Sequence, residues 1–137
     1  MLRLPDELRR RIDAWAADGY PLETCGLLIG REEGGIVEVG DVTLARNLNT
    51  ERAQDRYELD PEDFLAADAR ARERNRSIVG IWHSHPDHPA KPSETDRACA
   101  WEGYSYVIVA VSALGTDDFR AWRLKDRGFV EEELCRA

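Results

Sequence analysis

The sequence predicts a layered α/β domain of the α+β kind, with a mixed central sheet flanked by about three helices. Three observations carry this expectation. Apolar runs of strand length recur along the chain, in CGLLIG, SIVGIWHSH and YVIVAVS. Segments with helical spacing or helix-start residues alternate with them. The 137 residues show no internal repeat, linker or low-complexity stretch, and that length suits one domain with a substantial core. Residues 1–137 are therefore expected to form a single domain.

The elements follow in order. MLRLPDELRRRIDAWAADGY reads as an amphipathic helix with Pro5 near its start, Leu8, Ile12 and Trp15 on one face, and Gly19 as its stop. It has no apolar stretch of the kind a signal peptide needs. CGLLIG, from Cys25 to Gly30, is a short apolar run closed by glycine and reads as a buried strand. An EEGG turn leads into IVEVGDVTLARN, one or two strands, and then into the polar loop LNTERAQD. Asp60 caps a second helix with Pro61 at its first position. Phe64, Ala67 and Ala71 face inward there, while Asp68 and Arg72 mark the wetter side. SIVGIWHSH is a strand, and the proline-rich PDHPAKP after it is irregular. Ser93 opens a short third helix running to about Trp101. YVIVAVS, Tyr106 to Ser112, suits a central strand buried on both faces. DFRAWRLK and FVEEEL are the last strands, joined by a turn at Asp126 to Gly128.

The totals exclude several classes of function. A net charge of −8 opposes nucleic-acid binding, which needs a concentrated positive face. No apolar run approaches the ~20 residues of a membrane helix. Three cysteines, Cys25, Cys99 and Cys135, are odd in number and far apart, a poor disulfide framework. They suit a reducing compartment, so the expected location is the cytoplasm. The oligomeric state is not legible.

All three histidines lie within WHSHPDHPAKPSETD, Trp82 to Asp96. His83 and His85 are two apart on an expected strand, so both imidazoles share a face, roughly 6–7 Å apart at the backbone. Pro86 ends the strand there, where side chains open onto a cleft. Asp96 comes eleven positions after His85, in the first turn of the third helix. Two imidazoles and a carboxylate leave a fourth tetrahedral position for water, the arrangement of catalytic rather than structural zinc. The spacing leaves two alternatives open. His88 offers a competing set, His83/His85/His88, and Ser93-x-x-Asp96 is also close to a capping box. Trp82 and Ser84 alternate to the opposite face. Cys25 reads as a small buried apolar residue.

HSHPDHPAKPSETD resembles the signature of the JAMM (MPN+) metallopeptidases: His-Ser/Thr-His-Pro, six residues, then Ser-x-x-Asp. His83, Ser84, His85, Pro86, Ser93 and Asp96 meet every fixed position. The family's upstream glutamate is matched by Glu23 in PLETCGLLIG, and RYELDPEDFLAADARARERNRSIVGIWHSHP is similar to the short bacterial members. The resemblance implies an MPN/JAMM domain resembling the cytidine-deaminase-like fold. It implies one Zn2+ per chain on His83, His85 and Asp96, Glu23 as general acid/base, and Ser93 as a donor to the developing oxyanion. Ser84 is left to packing or to hydrogen bonding behind the ligands, and His88 to the rim.

The implied activity is hydrolysis of an amide or isopeptide bond after the Gly-Gly tail of a ubiquitin-like or sulfur-carrier protein. An extended tail can lie along a strand edge and present its carbonyl to the metal. The rival from another class is a non-catalytic scaffold module, which the presence of all five key residues opposes. A RadC-like role in DNA repair is disfavoured by the charge. Zinc deaminases need His-x-Glu and Pro-Cys-x-x-Cys, and neither occurs.

Overall fold

A computed structural model describes residues 1–126 and 128–136. Among the described residues eight strands, β1 (Leu2–Arg3), β2 (Cys25–Glu33), β3 (Ile36–Ala45), β4 (Ser77–Pro86), β5 (Ser105–Ser112), β6 (Gly115–Lys125), β7 (Gly128–Glu132) and β8 (Leu134–Cys135), form one sheet. Its order is β7-β6-β5-β4-β2-β3-β1-β8. Three helices join it: α1 (Asp6–Gly19), α2 (Pro61–Glu73) and α3 (Glu94–Cys99). The sheet is mixed, as expected. β4 runs antiparallel to β2 and parallel to β5, and β1 is parallel to both β3 and β8.

Helix α1 covers one face of the sheet. Leu8, Ile12 and Ala16 are buried against Leu28, Val37, Val107 and Val109, and half-buried Trp15 packs beside them. Its ring stacks on Trp82, 5.8 Å between centroids, and Trp82 is fully buried on the face away from the histidines. Gly26 makes room for that indole: a Cβ there would lie 2.4 Å from Trp82 Nε1, which donates to Thr43 O at 2.9 Å.

Helix α2 packs on the other face through Ala67 and Ala71, with Leu27, Ile29 and Ile78 beneath. Asp60 caps it by accepting from Glu62 N at 2.9 Å, and Pro61 opens it. Asn75, at a φ of 56°, takes the left-handed turn that closes it, and Arg76 N returns to Ala71 O at 2.9 Å.

Several boundaries differ from expectation. IVEVGDVTLA is one continuous strand with a bulge opposite Ile29 and Gly30. Helix α3 stops at Cys99 rather than Trp101, because Ala100 is extended and Trp101 N donates instead to Tyr106 Oη at 2.8 Å. The two-residue strands β1 and β8 were not anticipated; each is too short for periodicity to reveal. Of the turn expected at Asp126 to Gly128, Arg127 lies outside the described residues. Among the described residues no helix is long and apolar enough to cross a membrane.

Parallel neighbours need a crossover, and the one from β4 to β5 carries α3. The carboxyl end of β4 therefore opens beneath α3, where open α/β sheets place their ligands.

Candidate metal centre and active site

His83 and His85 occupy the last positions of β4 before Pro86, paired with Ile108 and Ala110 of β5. Both are buried, at 1% and 6% exposure. Their Nε2 atoms lie 3.1 Å apart. Asp96 Oδ2 lies 3.2 Å from His83 Nε2 and 3.0 Å from His85 Nε2. Among the described residues these three form a group able to hold a metal ion, and His88 is not part of it.

The chemistry of this cluster is decided by one hydrogen bond. His85 Nδ1 sits 2.8 Å from Pro89 O, and a carbonyl can only accept, so Nδ1 carries the proton. In its neutral form the ring then turns a bare Nε2 lone pair toward His83 and Asp96. With both rings neutral and protonated at Nδ1, two imidazole lone pairs and a carboxylate oxygen around one point repel one another unless something positive stands among them. A proton can bridge only two of the three, whereas a cation satisfies all. Tetrahedral zinc at bond lengths of ~2.0–2.2 Å needs ligand atoms roughly 3.3 Å apart. The observed spacings of 3.0–3.2 Å are close to that.

Charge follows the same geometry. Burial works against ionisation of Asp96, yet the two imidazoles and the Ser93 N–H hold it well below the usual carboxylate range. Burial lowers His83, opposed by Asp96. Burial acts on His85 too, but its bonds to Asp96 and Pro89 prevail and raise it.

Ser93 and Asp96 form a full capping box. Ser93 Oγ accepts from Asp96 N at 3.0 Å, and Asp96 Oδ2 accepts from Ser93 N at 2.9 Å. The two sequence readings of this pair therefore coincide: the oxygen that caps α3 is the one facing both histidines. Ser93 Oγ uses a lone pair in the cap, which leaves its own hydroxyl proton to donate elsewhere.

Glu23, just before β2, lines a cleft of about 380 Å³ together with His85, His88 and Ser93. It is 5% exposed, and among the described residues its Oε1 has no hydrogen-bond partner. Burial foremost, opposed by His85 and reinforced by Asp96, pushes its carboxyl up to about 8. A buried carboxyl with an uncommitted oxygen beside a cation-ready cluster suits an acid/base group. Ser84, fully buried on the opposite face, accepts from Thr24 N at 2.9 Å and from Thr24 Oγ1 at 3.1 Å. Ser84 N in turn donates to Thr24 O at 2.9 Å. These bonds fasten the segment carrying Glu23 to the strand carrying the histidines. Burial pushes the Cys25 thiol up to about 12, which disfavours the thiolate a nucleophile needs.

Three features escaped the sequence. Pro89 acts through its backbone carbonyl, and Tyr57 stacks on His83 from a loop without periodicity. Asn47 bonds Glu23 O and Arg56 O, a contact with no local signature.

A mixed α+β sheet that brings two imidazoles and a carboxylate together at the end of a central strand defines a metal-centre domain. The chain belongs to the family described as prokaryotic homologs of the JAB domain, whose model matches residues 5–125. It is 38% identical over 96 residues to a desampylase of Haloferax volcanii, which covers 68% of this chain and 66% of that protein. It is 31% identical over 125 residues to the CysO-cysteine peptidase of Mycobacterium tuberculosis, covering 88% and 81%. A solved protein from Desulfitobacterium hafniense superposes with a TM-score of 0.86 at 30% identity, over 98% of this chain and 91% of that one. A JAB1/MPN domain protein from Archaeoglobus fulgidus shares the fold, with a TM-score of 0.57 at 17% identity over 97% and 98%.

Proposed function

We propose that this chain is a single-domain zinc hydrolase, cleaving the amide or isopeptide bond after the C-terminal Gly-Gly tail of a ubiquitin-like or sulfur-carrier protein. The observation that carries the proposal is the convergence of His83 Nε2, His85 Nε2 and Asp96 Oδ2 on one point. Relatives named desampylase and CysO-cysteine peptidase support the substrate class. A reducing cytoplasm suits the three free cysteines.

His83, His85 and Asp96 would hold one zinc. When bound, zinc supplies Lewis acidity that makes water nucleophilic near neutral pH. Glu23, whose carboxyl stands at about 8 without a cation, would be drawn into its ionised form by a neighbouring positive charge, and its Oε1 would then take the proton of the attacking water and return it to the leaving amine. The Ser93 hydroxyl proton, free of the cap, donates to the developing oxyanion. An apolar groove of about 550 Å³ starts at Thr95 and Asp96 and runs between Tyr57, Phe64, Trp101 and Tyr104. Its walls suit the apolar parts of a protein substrate more than a small polar metabolite.

The test is metal analysis of the purified protein with incubation against carrier fusions bearing a Gly-Gly tail, with and without chelator. Cleavage after the second glycine, lost on chelation and restored by zinc, is expected. Cleavage that survives complete metal removal would refute the proposal, as would inertness toward every such fusion.

A further inference from the structure

His83 and His85 are aimed at one point but held there by different means. His85 Nδ1–H donates to Pro89 O at 2.8 Å, the usual brace that fixes the tautomer and ring plane of a ligating imidazole. His83 has no such brace, for among the described residues its buried Nδ1 finds no hydrogen-bond partner. Tyr57 lies against it instead, with ring centroids 4.5 Å apart and 25° between the planes.

Tyr57 comes from the irregular stretch between β3 and α2, by itself a weak support. Asn47 makes it a firm one. Asn47 Nδ2 donates to Arg56 O, and its Oδ1 accepts from Glu58 N, the residues on either side of Tyr57. The same Nδ2 donates to Glu23 O at 3.1 Å. Glu23 N donates to Ala53 O in the same stretch. One amide side chain therefore fixes the backbone beneath both the aromatic ring and the carboxyl group.

We propose that Tyr57 is the positioning residue of His83, its ring standing in for the acceptor that Nδ1 lacks, and that Asn47 keeps this ring in register with Glu23. An imidazole left unbraced at its Nδ1 edge is free to tilt about its last side-chain torsion, which is broad for histidine. A flat ring across its face blocks that swing without a hydrogen bond. The inference rests on reading His83, His85 and Asp96 as the metal site, and its test separates the two.

Zinc affinity is measured by competition with a chelator for the wild type, Tyr57→Phe and Tyr57→Leu, alongside the visible absorption of each protein loaded with cobalt(II). Tyr57→Phe keeps the aromatic face and is expected to stay within about twofold of wild type. Tyr57→Leu is expected to lose about 10- to 100-fold, the range for residues supporting a ligand, with an altered cobalt spectrum. Equal affinity and an unchanged spectrum in Tyr57→Leu overturn the proposal while leaving the metal site intact. A wild type that binds neither metal sinks the site reading, and this proposal with it. If Tyr57→Leu does not fold, the metal-free wild type decides by NMR. The ring protons of His83 should then sit upfield of those of His88, shifted by the tyrosine ring current, and their coincidence overturns the proposal.

Discussion

Replacing Ser84 with alanine tests the joint that holds the Glu23 segment to the histidine strand. The hydroxyl is fully buried and accepts from Thr24 N at 2.9 Å and Thr24 Oγ1 at 3.1 Å. Ser84→Ala leaves the Thr24 N–H without a partner, which costs about 1–3 kcal/mol. The Thr24 hydroxyl can rotate to another acceptor, so its loss adds about 1 kcal/mol at most. A total near 2–3 kcal/mol over 137 residues, at an unfolding entropy of ~2.1 cal/mol/K per residue, lowers Tm by about 7–10 °C. Circular dichroism of the metal-free protein measures it. Thr24→Val removes only the hydroxyl bond, so a double-mutant cycle should show a coupling of about 0.5–1 kcal/mol. Turnover should fall more than zinc affinity, because His83, His85 and Asp96 keep their places on β4 and α3 while the Glu23 segment loses part of its tether. A Tm shift under about 2 °C would refute the reasoning.

Glu23→Gln should keep zinc and lose cleavage by at least ~10²-fold, read from metal content and a fusion-cleavage assay. In chelated protein the Glu23 carboxyl titrates at about 8 when folded against 4.5 when unfolded, so its stability contribution is fully present below pH 4.5 and is lost as pH rises toward 8. Urea midpoints should therefore favour Glu23→Gln over wild type progressively from pH 5 to pH 8, by at most a few kcal/mol, and a constant difference would contradict the burial argument. His85→Ala and Asp96→Ala should each lose both zinc and cleavage, checked by metal analysis after dialysis. Ser93→Ala should lose rate and about 1 kcal/mol of stability together, and unchanged turnover would remove Ser93 from the chemistry.

What could be read in advance depended on how local the physics was. The shared face of His83 and His85 follows from strand period alone, and the Ser93–Asp96 box from cap chemistry over four residues. Spacing could not choose between Asp96 and His88, since the choice depends on how the loop after Pro86 folds back. Glu23 was identifiable only through its resemblance to a family pattern, because one buried carboxyl has no sequence signature. Tyr57, Asn47 and Pro89 act through a loop, an amide bonded to Glu23, Arg56 and Glu58, and a carbonyl, and none of these leaves a periodic trace. The short strands β1 and β8 arise from pairing partners more than a hundred residues apart.

Helix α3 buries none of its residues. Apolar packing therefore does little to retain it, and its first turn is tied down through the carboxylate that also faces His83 and His85. The cation would thus act as a rivet between crossover and sheet, so stripping it would expose the 94–100 stretch to proteases well before the sheet itself melts.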